Sequence, residues 1–187
     1  MRDRILLHIC CAPDATIPWP SLRSEGFEAD GFFYGGNIHP ASEWEARRDA
    51  VLALSRAFGW TAEIAPYQPE RWHEAADRAA SAPEGGARCA ICFSLQLGAA
   101  ALYAASNGYK YLCSTLSISP HKSPDAIGAA GEAAAESAGV KWVHRVWRKN
   151  DGFRLSVARS REMGLYRQNY CGCVYSMRRP GACGSAA

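Results

Sequence analysis

The stretch Ile5-Leu6-Leu7-His8-Ile9-Cys10-Cys11-Ala12-Pro13-Asp14 decides the fold. Five residues of nearly continuous apolar character are too few for a core helix. They suit a strand of a parallel sheet, buried on both faces. The run passes straight into two cysteines and then Pro13, which lacks the N–H that a ladder needs. The strand therefore ends at the cysteines. A helix follows, its start made irregular by Pro18 and Pro20.

Outward from this stretch, residues 27–34 read as a second strand, broken by Gly35-Gly36-Asn37. Ser42-Glu43-Trp44-Glu45 has the form of a capping box, with Ser42 as cap and Glu45 reaching back. Trp44, Val51, Leu54 and Phe58 then mark one helical face, and Gly59 suits its stop. A third strand is expected over 60–65 and a helix from Pro69 to about Ser81. The loop Pro83-Glu84-Gly85-Gly86 delivers the chain to Cys89. Residues 90–105 suit a buried helix and 109–116 a strand. Ser123-Pro124 opens a helix closed by Gly139. Residues 141–147 read as a strand, and Asn150 or Asp151 opens a helix ending at Gly164. Strand and helix alternate throughout. That predicts an α/β protein: one domain over residues 1–176, with a parallel, Rossmann-like sheet flanked by helices. Residues 177–187, with Pro180 and Gly181, read as a flexible tail. Ligands of such sheets bind beyond the carboxyl ends of the strands, near a topological switch point. The Cys10-Cys11 loop and the 117–122 loop both fall on that edge.

The formal net charge of +3 conceals a division. Residues 1–139 carry 11 Lys/Arg against 16 Asp/Glu, a balance of −5; residues 140–187 carry 10 against 2, a balance of +8. A basic final quarter suits a polyanionic partner such as RNA, or else a solvated basic face. The apolar run at the N-terminus is too short for a signal peptide or a membrane span. The expected compartment is the reducing cytoplasm, where paired thiols hold metal or do redox chemistry more often than they form disulfides.

Six of the eight cysteines lie in three tight pairs: Cys10-Cys11, Cys89-x-x-Cys92 and Cys171-Gly172-Cys173. The second pair sits at a helix entry, where peptide dipoles stabilise thiolates. Alone it is a redox dithiol or half of a zinc site. With the third pair it makes a four-thiolate set suited to zinc or an iron–sulfur cluster. Cys10, Cys11 and Asp14 offer two thiolates and a hard oxygen, which leave an open position on iron or zinc. The competing reading is two inert cysteines beside a helix-capping Asp. Cys113 reads as core, Cys183 as a bystander in the tail, and His8 as a core histidine. His39, His121 and Lys122 lie in loops at the expected site edge, while His73 and His144 carry no signal. Tyr166-Arg167-Gln168-Asn169-Tyr170 offers groups that bind phosphate or stack on bases. Arg47-Arg48 reads most simply as solvated helix charge. There is no glycine-rich phosphate loop, which argues against nucleotide-driven chemistry.

Taken in order, several motifs resemble the cobalamin-independent epoxyqueuosine reductases. They are Leu7 to Asp14, Phe32-Phe33-Tyr34, Asn37-Ile38-His39-Pro40, Arg88-Cys89-x-x-Cys92, Ser119-Pro120-His121-Lys122 and Tyr166 to Ser176. The resemblance spans residues 5–176. It implies the fold of the adenine-nucleotide α-hydrolase-like superfamily without its ATP chemistry. It implies reduction of epoxyqueuosine to queuosine at the tRNA wobble position, with oxygen leaving as water. It further implies that Cys89, Cys92, Cys171 and Cys173 hold a 4Fe-4S cluster. Cys10, Cys11 and Asp14 would hold a second, mononuclear iron, or zinc in isolated protein. Some members carry Cys at the position of Asp14, so the third ligand here would be oxygen. Asp14, His39, His121 and Tyr166 become the expected catalytic groups. Asn37, Lys122, Arg167 and Gln168 become substrate-binding residues. The implied partners are the tRNA anticodon loop and an electron donor. Two alternatives remain at this point: an iron–sulfur tRNA sulfurtransferase or desulfurase, and a zinc-stapled RNA-binding protein.

Overall fold

A computed structural model describes residues 2–177. Five parallel strands form one sheet: β1 (Arg4–His8), β2 (Glu28–Phe33), β3 (Ala62–Ile64), β4 (Tyr111–Ser114) and β5 (Lys141–Trp142). Their order is β3-β2-β1-β4-β5. The chain winds outward from β1 to one edge, then returns to β1's other side, so the switch point lies between β1 and β4. The alternation of β1 fixes the two layers. Ile5, Leu7 and Ile9 face a cluster with Trp19, Leu22, Val51 and Leu54. Leu6 faces Ala100, Ala101, Ala104 and Leu112. On the first face lie α1 (Ala12–Ala15), α2 (Pro18–Ser24) and α3 (Ala41–Phe58); on the second lie α5 (Ala87–Ser106) and α6 (Pro124–Ala138). The remaining helices are α4 (Pro69–Ala76), α7 (Gly152–Glu162) and α8 (Val174–Met177). The last runs past residue 176, the expected end of the domain. The rest of the tail, with Cys183, lies outside the described residues. α5 is long and apolar enough to cross a membrane. Its buried stripe, Cys92, Phe93, Gln96, Leu97, Ala100, Ala101 and Ala104, is instead closed by protein, chiefly α6 and also α4, β1 and β4.

Two local expectations are corrected. Ser42 does not cap α3: the helix starts at Ala41 with Pro40 as N-cap and no side-chain cap, and the Pro40 carbonyl accepts from the Glu43 and Trp44 amides at 3.0 and 3.2 Å. The 141–147 strand stops at Trp142. Beyond it, side chains replace the ladder: Ser117 Oγ donates to the Arg145 carbonyl at 2.6 Å and Trp147 Nε1 to the Ser114 carbonyl at 2.9 Å. Gly59 and Gly139 close their helices in the left-handed conformation, as expected, and Ser123 caps α6 through the Ala126 amide at 3.3 Å.

Candidate metal centre and active site

Four segments meet beyond the carboxyl ends of β1 and β4: the Cys10-Cys11 turn into α1, the 115–123 loop, the first turns of α5 and the segment 167–173. Together with α7 they line a cavity of about 760 Å³. The Cys10 amide donates to Thr115 Oγ1 at 3.1 Å, which locks the loop after β1 to the loop after β4. Below them His8 is fully buried, its Nδ1 3.0 Å from Ser114 Oγ. Burial and the Lys122 charge push its pKa down to about 3, so it stays neutral.

Four of the paired sulfurs accept an N–H. Lys122 Nζ lies 3.6 Å from Cys10 Sγ, and Gln168 Nε2 lies 2.9 Å from Cys11 Sγ. The Gly85 amide lies 3.2 Å from Cys89 Sγ, and Gln96 Nε2 lies 3.1 Å from Cys92 Sγ. Such donors stabilise thiolate charge and tune whatever the thiolates bind. The hydrogen bond from Cys11 holds Cys10 well below the ordinary thiol range, while burial and the same bond drive Cys11 well above it. Cys171 and Cys173 divide likewise: their mutual bond and burial raise Cys171, and Cys173 falls to about 5. Burial pushes Cys92 up to about 12, with Cys173 and Cys89 adding their charge. Burial raises Asp14 to about 6, against the pull of Lys122 and with the push of Cys10. Burial works against the Lys122 ammonium too, yet Cys10, Cys171, Asp14 and Cys11 together keep it protonated. Lys122 is thus the shared cation of both groups of candidate ligands.

The last cysteine pair is shaped from below. Gly172 has φ 109°, a conformation glycine adopts freely. A Cβ there would lie 2.9 Å from Arg47 Nη1. The Gly172 carbonyl accepts from the His39 amide at 2.8 Å. Arg47 is only 1% exposed. Its Nε pairs with Glu43 at 2.7 Å, and its two terminal nitrogens donate to the Cys171 and Tyr170 carbonyls at 3.1 Å each. Arg47 is therefore no solvated helix charge. Arg48, ion-paired at the surface with Asp49, is one.

Of the residues expected at the site, Cys10, Asp14, Asn37, Cys89, Cys92, His121, Lys122, Arg167, Gln168, Cys171 and Cys173 line the cavity. Cys11 sits beside it, joined through Gln168. His39 and Tyr166 are not among the lining residues. The His39 ring packs against Trp72 and His73 with centroids 5.2 and 4.6 Å away, because its backbone is tied to Gly172 and Tyr170. Tyr166 turns outward, 42% exposed, and its hydroxyl donates to Glu43 at 2.6 Å. Arg148 is committed to three carbonyls of the neighbouring loop, Ser119, Pro120 and Lys122, at 3.4, 3.4 and 2.9 Å. Cys113 is core. Sequence reasoning passes over Gln96 and Trp72, the latter fully buried against Cys92 and Cys173. Gln96 carries a signal: it is the one polar side chain that could reach Cys92 within the apolar run, one helical turn on.

Among the described residues, no three His, Cys, Asp or Glu side chains stand close enough around one point to hold an ion as placed. The donor chemistry nevertheless fits one. Adjacent thiols that divide a proton between them, with Lys122 and Arg47 supplying positive charge, can both ionise once a cation arrives.

The sequence pattern that defines the family described as epoxyqueuosine reductase QueH matches residues 5–179. The chain belongs to that family. A family member from Thermotoga maritima is 36% identical over 176 residues, covering 92% of this chain and 90% of its own. One from Dehalococcoides mccartyi is 38% identical over 179 residues, covering 94% and 93%, and one from Acinetobacter baylyi 36% identical over 177, covering 94% and 81%. All three are named epoxyqueuosine reductases of the family. Among solved structures, one titled as a predicted subunit of a tRNA methyltransferase from Methanocaldococcus jannaschii superposes with a TM-score of 0.57. It covers 83% of this chain and 74% of its own at 12% identity, a likeness of fold that agrees with the Rossmann-like α/β architecture of the family member described here.

Proposed function

We propose that this protein is an epoxyqueuosine reductase acting on tRNA. The observation that carries the proposal is the meeting of all three cysteine pairs and Asp14 at the switch point of a parallel sheet, in a chain that belongs to the family. The family match weighs against both the sulfurtransferase and the zinc-staple alternatives.

The reaction takes two electrons and two protons to convert an epoxide into an alkene and water. When bound, a 4Fe-4S cluster on Cys89, Cys92, Cys171 and Cys173 supplies single electrons, and an iron on Cys10, Cys11 and Asp14 supplies a Lewis-acidic open position. The residues of the chain do the rest. Lys122 keeps one positive charge between the two thiolate groups and lowers their mutual repulsion. Gln168 spends its amide N–H on Cys11, while its Oε1, at the cavity wall, is buried with no partner among the described residues. That acceptor is set to take an N–H or O–H from the substrate. Asn37 and Arg167, also on the wall, add further polar contacts. His121 is the expected catalytic residue that lines the cavity without a proposed metal, so it is the proton donor of choice. An external reductant provides the electrons, and the reaction belongs in the cytoplasm, where tRNA is modified.

The test is anaerobic purification with iron and sulfide quantification, then mass spectrometry of tRNA carrying epoxyqueuosine after incubation with reductant. Queuosine is the expected product. Iron-replete protein that leaves the epoxide intact under all reductants tried would overturn the proposal.

A further inference from the structure

α7 meets the body of the protein through its smallest side chains. Gly152, Ser156 and Ser160, one turn apart, are its buried residues, and Thr16 Oγ1 of the C-cap of α1 donates to the Ser156 carbonyl at 3.4 Å. A Cβ on Gly152 would stand 1.8 Å from the Trp147 carbonyl oxygen. The Ser156 and Ser160 hydroxyls are spent inside the helix, on the Phe153 and Val157 carbonyls at 2.8 and 2.9 Å. The larger apolar side chains Phe153 and Val157 consequently face the cavity, half-buried. Arg154 and Arg161 stand on the same wall, two helical turns apart, about 10 Å along the axis. Arg154 is held in an exposed pair with Asp151 at 2.8 Å. Arg161 makes no ion pair among the described residues. Glu84 also lines the cavity.

An aromatic ring beside one guanidinium group, with a branched side chain between that group and a second, has the chemistry of a base-stacking shelf flanked by phosphate contacts. We infer that Phe153 and Val157 stack on the nucleotide next to the reacting one in single-stranded RNA, while Arg154 and Arg161 take its flanking phosphates. The inference rests on the RNA-substrate reading above and adds the face on which the strand lies. Charge complementarity selects this occupant: a protein segment would need an acidic partner surface, whereas every stretch of RNA backbone supplies one.

Two measurements separate the shelf from the chemistry. Turnover of epoxyqueuosine tRNA by wild-type protein tests the reductase reading. Fluorescence anisotropy with a labelled anticodon stem-loop lacking the epoxide tests the shelf. Phe153→Leu, which keeps apolar volume but removes the ring, is expected to weaken binding about tenfold, and Phe153→Tyr to retain it. Arg161→Gln is expected to lower the slope of log affinity against log salt by about 0.7. Equal binding by the Leu and Tyr variants, or an unchanged slope in Arg161→Gln, overturns the shelf even if wild-type protein turns over the tRNA. Ring-dependent, salt-dependent binding without turnover upholds the shelf and overturns the reductase reading instead.

Discussion

At the scale of single residues, the site is a set of paired sulfurs, four of them with an N–H donor of their own. Cys89→Ser and Cys171→Ser should each lose most iron and labile sulfide, measured by colorimetric assay of anaerobically reconstituted protein. Asp14→Ala should behave differently: the visible spectrum of the cluster persists, while the extra metal and the turnover are lost. Gln96→Leu removes the N–H that lies 3.1 Å from Cys92 Sγ without emptying the space. Donors to sulfur favour the more negative, reduced state. The variant's cluster potential should therefore fall by tens of millivolts in a potentiometric titration followed by electron paramagnetic resonance. The candidate ligands stand out in the sequence because three thiol pairs fall where strand, turn and helix meet. Arg47 is not legible, since the carbonyls it holds lie 123 and 124 residues further on. Locally it differs from Arg48 only in having Glu43 one turn back, which a solvated helix face shows as often. The reach of Tyr166 and His39 is hidden for the same reason, as distant partners turn each away from the cavity.

At the scale of elements, β1 is readable because burial on both faces leaves Ile5-Leu6-Leu7 an unbroken apolar run. β5 is not, because Val143, Val146 and Trp147 look like strand while the real tie is made by Ser114 at the end of β4 and Ser117 in the loop after it. Ser42 fails as a cap because the Pro40 carbonyl already serves the first turn. Arg148 staples the Ser119-Pro120-His121-Lys122 loop through three of its carbonyls. Arg148→Ala should speed amide hydrogen exchange across residues 117–123 and leave the salt slope of RNA binding unchanged. A slope that falls with the loop's exchange untouched would reverse that assignment. Gly152→Ala should lower stability by more than about 2 kcal/mol in urea denaturation, because its Cβ meets backbone that cannot swing aside.

At the scale of the whole molecule, the segment 167–173 comes back across the sheet to face the first turn of the fold. Metal on Cys171 and Cys173 would tie that segment to the start of α5, and a ligand bound by the native state alone raises its stability. Cluster-loaded protein should melt several degrees above protein bleached by oxygen and chelator, followed by calorimetry, and the bleached form should be nicked by protease near residues 165–177. The placement of Gly172 over the Arg47 guanidinium also has a consequence in time. Chains emerge from the ribosome N-terminus first and domains fold as they appear. All five strands and α3, with Arg47 in place, are made before Cys171 and Cys173 exist. Any metal that needs Cys171 and Cys173 as well as Cys89 and Cys92 must therefore wait until that later segment has left the ribosome.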